Sequence, residues 1–179
     1  MKIFSKFVIS VAVCEFAGVI GAFFATPSIS NWYINLAKPA FMPPAWIFSP
    51  VWATLYALMG VSLFLVWQNE WRVKNKILLP KKKAWNKWSE RFWIGDLQKE
   101  NIIAIFVIQL ILNISWSYLF FGLQLPVLAF FEILALWWAI FYTIVNFYRV
   151  SKFAAWFLLP YVFWVSFAIY LNYSIVVLN

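Results

Sequence analysis

The sequence predicts an all-α membrane protein, a bundle of five transmembrane helices. Of the 179 residues, 65% are hydrophobic and only 11% are charged, more apolar surface than a soluble domain of this size can bury. The apolar residues fall into five separate stretches, each about the 20 residues that cross a bilayer. The basic residues collect between alternate stretches, as in the loops of multi-pass membrane proteins.

The first stretch, about residues 4–26, follows Lys2 and Lys6 and resembles a secretory signal peptide. Its length matches a membrane span and Glu15 interrupts it, so we interpret it as a retained first helix. Pro27 is predicted to end this helix, because proline lacks the N–H that a helix interior uses.

The other four stretches are residues 46–67, 101–122, 126–148 and 153–177. Backbone polar groups find no water in the hydrocarbon core, so each stretch is predicted to be a helix. Pro44 and Pro126 stand where the second and fourth helices begin, at positions that need no N–H donor. The turn before Pro126 is so short that helices three and four are predicted to be neighbours. Residues 1–179 are predicted to form one domain.

The basic residues also predict the orientation. All but one of the 14 lie on the side that holds the N-terminus, the second loop and the fourth loop, and Lys38 is the exception. Because cytoplasmic loops are enriched in Lys and Arg, we expect a cytoplasmic N-terminus with Asn179 outside. The membrane is expected to be a prokaryotic cell membrane.

The second loop, about Gln68 to Glu100, is long, basic and rich in Trp. One interpretation is an arm that binds a partner or nucleic acid. We favour the other, a cytoplasmic loop held against anionic lipid head groups by Lys charge and Trp rings, with an interfacial helix near residues 85–93. A nucleic-acid partner is therefore not expected.

The single cysteine, Cys14, and the absence of His exclude an intramolecular disulfide and Cys/His metal sites. The sequence offers no evident catalytic residues and no metal ligands. We therefore favour the interpretation of the chain as a binding protein over that of an enzyme.

The first loop is stiffened by proline. It reads Trp32-Tyr33-x-x-Leu36-x-Lys38-Pro39-x-Phe41-x-Pro43-Pro44-x-Trp46 and leads into Pro50-Val51-Trp52-x-x-Leu55-Tyr56-x-x-Met59-Gly60. Such a loop is suited to folding over the bundle as a lid, and we call residues 32–46 the lid loop. A stiff connector with interfacial aromatic side chains would explain any one of these residues, but not easily the whole run.

Two further motifs lie in helices three and five. They read Gln109-Leu110-x-Leu112-Asn113-x-x-Trp116-x-x-x-Phe120-Phe121-Gly122 and Leu158-Leu159-Pro160-Tyr161-x-x-Trp164-x-x-Phe167-Ala168-x-x-Leu171-Asn172-Tyr173. With the lid loop, they closely resemble the TspO/MBR family over nearly the whole chain, apart from the second loop.

The resemblance implies a pocket beneath the lid loop that binds a tetrapyrrole such as porphyrin or haem, with no obligatory cofactor. It implies these ligand-binding residues: Trp52, Tyr56, Asn113, Trp116, Trp164 and Ala168. It implies these lid residues: Trp32, Tyr33, Lys38, Pro39, Phe41, Pro43, Pro44 and Trp46. No basic residue follows Tyr173, where animal members carry an Arg, so sterol binding is not expected.

The residue chemistry agrees with a porphyrin site, because a flat apolar macrocycle needs aromatic faces and few hydrogen-bond donors. Trp164 and Ala168 lie one helical turn apart on one face. Asn113 falls in mid-span and should face the bundle interior, either towards the ligand or bonded to a neighbouring helix.

Glu15 and Glu132 are the two acids within spans, and an ionisable group there suggests a function such as a proton or cation relay. The alternative is a carboxyl that is protonated or bonded to a neighbouring helix. Gly18, Gly21 and Ala25 form a small-residue face that suits helix packing or a homodimer contact.

The favoured function is a membrane tetrapyrrole sensor or regulator, with transport of the ligand left open. Alternatives are a light-driven porphyrin-degrading enzyme that uses Trp radicals and a scaffold that recruits a partner through the basic loop. The chain shows no internal repeat, which argues against a self-contained alternating-access carrier.

Overall fold

The computed structural model describes residues 2–75 and 100–179, which are almost entirely helical and contain no strand. The five long helices are α1 (Ile3–Asn31), α2 (Ala45–Asn75), α3 (Glu100–Ser117), α4 (Pro126–Val150) and α5 (Lys152–Leu178). Each contains a segment long and apolar enough to cross a membrane. The predicted fold class, an all-α bundle of five transmembrane helices, is confirmed.

The helices form a closed ring in the order α1, α2, α5, α4, α3, with α3 packed back against α1. Met59, Phe147 and Tyr161 lie fully buried at the centre. Large apolar side chains such as Phe16 and Phe131 are exposed on the outside. An exterior of this kind suits a bundle whose solvent is lipid.

The sequence predicted that helix α1 ends at Pro27, but the helix continues to Asn31. Pro27 lies on the exposed side of the helix, where its ring displaces no neighbouring helix. Side chains support this turn, since Thr26 Oγ1 donates to the Ala22 carbonyl at 2.8 Å and Asn31 Nδ2 donates to the Pro27 carbonyl at 3.1 Å. Proline is tolerated inside membrane helices where side chains and neighbours compensate in this way.

Helix α2 begins directly after Pro44, as expected, but runs to Asn75 and so extends beyond the predicted end at residue 67. The first part of the predicted second loop is therefore helical backbone. The rest of that loop, residues 76–99, with its expected interfacial helix, lies outside the described residues.

The connection between α3 and α4 is short, as predicted. Helix α3 continues as one π-helical turn, Tyr118–Gly122, which ends where the Leu123 N–H donates to the Tyr118 carbonyl at 2.8 Å. Gln124 takes a left-handed backbone conformation with φ of 57°, and α4 then begins at Pro126. Helices α3 and α4 lie side by side, with the Phe106 and Phe147 rings stacked at 5.6 Å.

Glycine lets α1 and α2 approach closely. A Cβ at Gly18 would lie 2.5 Å from the Tyr56 ring, and one at Gly60 would lie 2.5 Å from the Val11 Cα. The sequence analysis interpreted the small-residue face of α1 as a surface for helix packing or for a homodimer contact. At Gly18 this face packs against α2 inside the bundle, as the first interpretation expects. The homodimer stays a prediction.

Candidate ligand-binding site

A cavity of about 330 Å³ lies beneath the lid loop, between α1, α2, the end of α3 and α5. Its volume falls in the range of small-molecule pockets in proteins. Its walls are mainly apolar, and eight of the lining residues are aromatic: Tyr33, Phe48, Trp52, Tyr56, Trp116, Phe120, Phe121 and Trp164. The cavity lies beneath the lid loop, where the resemblance implied a pocket, and ligand binding in it stays a prediction.

The aromatic rings are arranged as two walls. On one side the Trp52 and Tyr56 rings lie 5.8 Å apart with a tilt of 32°. On the α3 side the Trp116 and Phe120 rings stack at 5.3 Å and 22°. Ring faces in this arrangement suit a flat aromatic ligand, because aromatic groups prefer stacked or edge-to-face contact at such distances.

Trp164 lines the cavity from α5. Its indole Nε1 is buried and has no hydrogen-bond partner among the described residues. Its ring meets Phe48 edge-on at 5.8 Å. Ala168, one turn along α5, lines the same cavity, as the helical spacing predicted.

Trp116 is fixed by a residue that the sequence analysis did not assign to the site. Its Nε1 donates to Asn172 Oδ1 at 3.2 Å, and Asn172 Nδ2 donates to the Pro126 carbonyl at 2.8 Å. Asn172 lines the cavity too. The helical period was the available signal, because Asn172 follows Trp164 and Ala168 at intervals of four.

Asn113 lies next to the cavity but is not among its lining residues. It is buried, accepts a hydrogen bond from the Tyr56 hydroxyl, and donates through Nδ2 to the Tyr161 hydroxyl at 2.7 Å. Asn113 therefore joins α3 to both α2 and α5. Contact between Asn113 and the ligand stays a prediction.

The lid loop covers the cavity through a few of its residues. Trp32 and Tyr33 contact the Phe120 ring at 5.6 and 6.4 Å. Tyr33 lines the cavity, whereas Trp32 does not. Met42 also lines the cavity, and its sulfur accepts a hydrogen bond from the Tyr33 hydroxyl at 3.4 Å. Burial raises the pKa of Tyr33 above its ordinary value, so this hydroxyl stays protonated near neutral pH.

Most of the other predicted lid residues lie away from the cavity. Phe41 and Trp46 are strongly exposed, at 79% and 72%. Lys38 instead stabilises the loop, because its Nζ donates to the Ile34 and Leu36 carbonyls at 3.1 Å. The remaining residues, which also do not line the cavity, are Trp32, Pro39, Pro43 and Pro44.

Asn179, the residue directly after α5, connects the lid loop to the bundle. The sequence analysis gave it no role. Its Oδ1 accepts from the Ala37 N–H at 2.9 Å, and its Nδ2 donates to the Ala37 carbonyl at 3.1 Å. Nδ2 also donates to the Ile175 carbonyl at 2.8 Å. One amide thus binds both backbone groups of a lid residue.

The two acids within the spans occupy different places. Glu15 lines the cavity. Glu132 does not, and its carboxyl oxygens are buried on α4 without a hydrogen-bond partner among the described residues. Within residues 2–75 and 100–179, no group of three or more His, Cys, Asp or Glu residues is placed to hold a metal ion.

These features define a class, a multi-pass membrane protein with an aromatic binding cavity under a connecting loop. The TspO/MBR family model matches residues 10–178, and the chain belongs to that family. The tryptophan-rich protein TspO of Archaeoglobus fulgidus is 38% identical over 174 residues, covering 97% of each chain. The translocator protein of Homo sapiens is 31% identical over 156 residues, covering 87% of this chain and 79% of the human protein. The tryptophan-rich sensory protein of Cereibacter sphaeroides is 28% identical, covering 83% and 77%.

Proposed function

We propose that this protein binds a tetrapyrrole, a porphyrin or haem, in the cavity beneath the lid loop. It acts as a membrane sensor or regulator for that ligand, or moves it across the membrane. The observation that carries the proposal is the cavity beneath the lid loop, which is lined with aromatic side chains and lies inside a bundle of apolar helices.

The chemistry of the walls supports a flat aromatic ligand. Trp52, Tyr56 and Trp116 offer ring faces, and each aromatic contact contributes about 0.5–1.5 kcal/mol beyond the area that it buries. Few donors are needed for a largely apolar macrocycle, and the cavity lining is mostly apolar. A tetrapyrrole combines these properties.

The names of two relatives support the sensor or transport role. One is a translocator protein and another a tryptophan-rich sensory protein. Both activities need a ligand to reach a site inside the bundle. The lid loop is suited to control that access, because among the described residues only Asn179 forms side-chain hydrogen bonds that join the loop to a distant part of the chain.

Anionic lipid head groups are a second proposed partner, at the end of the bundle opposite the lid loop. There Lys6 lies 5.4 Å from the Trp67 ring and Lys152 lies 5.8 Å from the Tyr148 ring. Basic and aromatic side chains together suit a membrane–water interface.

The test is titration of the purified protein in phosphatidylcholine nanodiscs with protoporphyrin, followed by Trp quenching and by the porphyrin absorption band. We expect Trp164→Ala and Trp52→Ala each to weaken binding about tenfold, since a loss of about 1.4 kcal/mol is tenfold in affinity. Trp138→Ala is the matched control, because Trp138 is 64% exposed and does not line the cavity. Unchanged affinity in both cavity variants would reject the site.

A further inference from the structure

The cavity contains an acidic side chain that its expected ligand does not explain. Among the described residues that line it, Glu15 is the only one with an ionisable acidic or basic side chain other than the Tyr hydroxyls. Glu15 lies on α1 one helical turn before Gly18, where α1 packs against the Tyr56 ring. Glu15 therefore lines the cavity from the stretch of α1 that packs against α2.

Glu15 has no partner that would neutralise it. Among the described residues, no side chain forms a hydrogen bond or an ion pair with its carboxyl. The basic residue of the lid loop, Lys38, is engaged elsewhere, because its Nζ donates to two carbonyls and lies 4.8 Å from the Tyr33 ring. An acid in a membrane span is costly, and one that lines a cavity without a partner indicates a functional role.

We propose that Glu15 makes this cavity selective for flat aromatic ligands that carry a positively charged group. This inference rests on one part of the proposed function, that the cavity binds a ligand, and does not require the ligand to be a tetrapyrrole. A carboxylate and the aromatic rings beside it attract a cation in two ways. The carboxylate acts through its negative charge, and the rings act through their negative faces. Both attractions are stronger in an apolar cavity than in water.

The neighbouring rings are placed for this role. Trp52 and Tyr56 form a tilted pair in the wall near Glu15, and Trp is the most favourable partner for a cation. Lys38 does not line the cavity, and its ammonium lies 4.8 Å from the Tyr33 ring in the lid loop. A ligand with carboxylates, such as a porphyrin, is therefore expected to place those groups away from Glu15.

The experiment compares two dyes that share one xanthene ring, rhodamine 123 as the monocation and fluorescein as the anion. Binding to the full chain in nanodiscs of zwitterionic phosphatidylcholine is measured by fluorescence anisotropy. We expect the wild type to bind the cation at least about tenfold more tightly than the anion, and Glu15→Gln to abolish this preference. Glu15→Asp retains the charge and should keep most of it.

Glu132→Gln is the matched control, because it removes the other carboxyl within the spans without touching the cavity lining. It should leave the preference for the cation unchanged. A preference that survives Glu15→Gln, or that Glu132→Gln abolishes equally, overturns the inference. Thermal unfolding of each variant shows whether it is folded, and Glu15→Asp supplies the comparison if Glu15→Gln is not.

Protoporphyrin and its uncharged dimethyl ester separate this inference from the proposed function. If both porphyrins bind and Trp164→Ala weakens them, but Glu15→Gln does not change dye preference, only the inference fails. If neither porphyrin binds while the Glu15-dependent preference is present, the tetrapyrrole proposal fails and the inference stands. If neither the porphyrins nor the dyes bind, both are rejected.

Discussion

The side chain of Asn179 forms hydrogen bonds with both the N–H and the carbonyl of Ala37, at 2.9 and 3.1 Å. The two residues are 142 positions apart in the chain. This pair directly connects the lid loop to the end of α5. Several residues of α5 line the cavity. The following predictions begin with it.

Asn179→Ala is expected to loosen the lid loop. Each hydrogen bond of this kind contributes about 0.5–1.5 kcal/mol, so ligand entry and release should both become several-fold faster. Stopped-flow mixing with protoporphyrin measures the two rates. Asn35→Ala is the matched control, because the Asn35 amide bonds locally, to the Asn31 carbonyl four residues earlier at 2.8 Å. Equal acceleration in both variants would argue against a specific role for Asn179.

Gly18→Ala is expected to destabilise the bundle. The new Cβ would lie 2.5 Å from a Tyr56 ring atom, and that ring is held by its hydrogen bond to Asn113. Overpacking of this kind costs about 1–3 kcal/mol, measured as a lower unfolding temperature in detergent. Gly21→Ala should cost less, because its nearest contact, Ser117 Oγ, lies at 3.1 Å. A larger loss for Gly21→Ala would contradict the packing described for Gly18.

Asn113→Ala and Tyr161→Phe together test the role of Asn113. Both remove the 2.7 Å hydrogen bond from Asn113 Nδ2 to the Tyr161 hydroxyl, and each should cost about 1–3 kcal/mol of stability, since a buried polar group loses its partner. We expect similar, small changes in porphyrin affinity for the two variants. A much larger loss of affinity for Asn113→Ala would mean that Asn113 contacts the ligand.

The predicted orientation can be checked with a single introduced thiol. Ala40 is exposed in the lid loop, and the natural cysteine, Cys14, is buried. A membrane-impermeant maleimide added to intact cells should therefore label Ala40→Cys. Lys2→Cys, at the other end of α1, should be labelled only after the membrane is opened. The reverse pattern would invert the topology.

Much of the fold follows from the sequence, because lipid requires about 20 apolar residues for each span. The prediction failed at Pro27, since a proline on the exposed side of α1 breaks no contact with a neighbouring helix. The face shared by Trp164 and Ala168 was predictable from the helical period. The contacts of Asn113 and Asn179 were not, because they depend on the order α1, α2, α5, α4, α3 around the ring.

Tyr56 belongs to two structures at once, since its ring is part of the cavity wall and its hydroxyl is part of the connection between α2, α3 and α5. A ligand that pushes on the ring must therefore also change the hydrogen bonds that set the spacing of these helices. Each of the three spans the bilayer, so a change of spacing extends to the opposite face. Occupancy on the lid side thus has a mechanical route to the other side of the membrane, which is what transmembrane signalling requires.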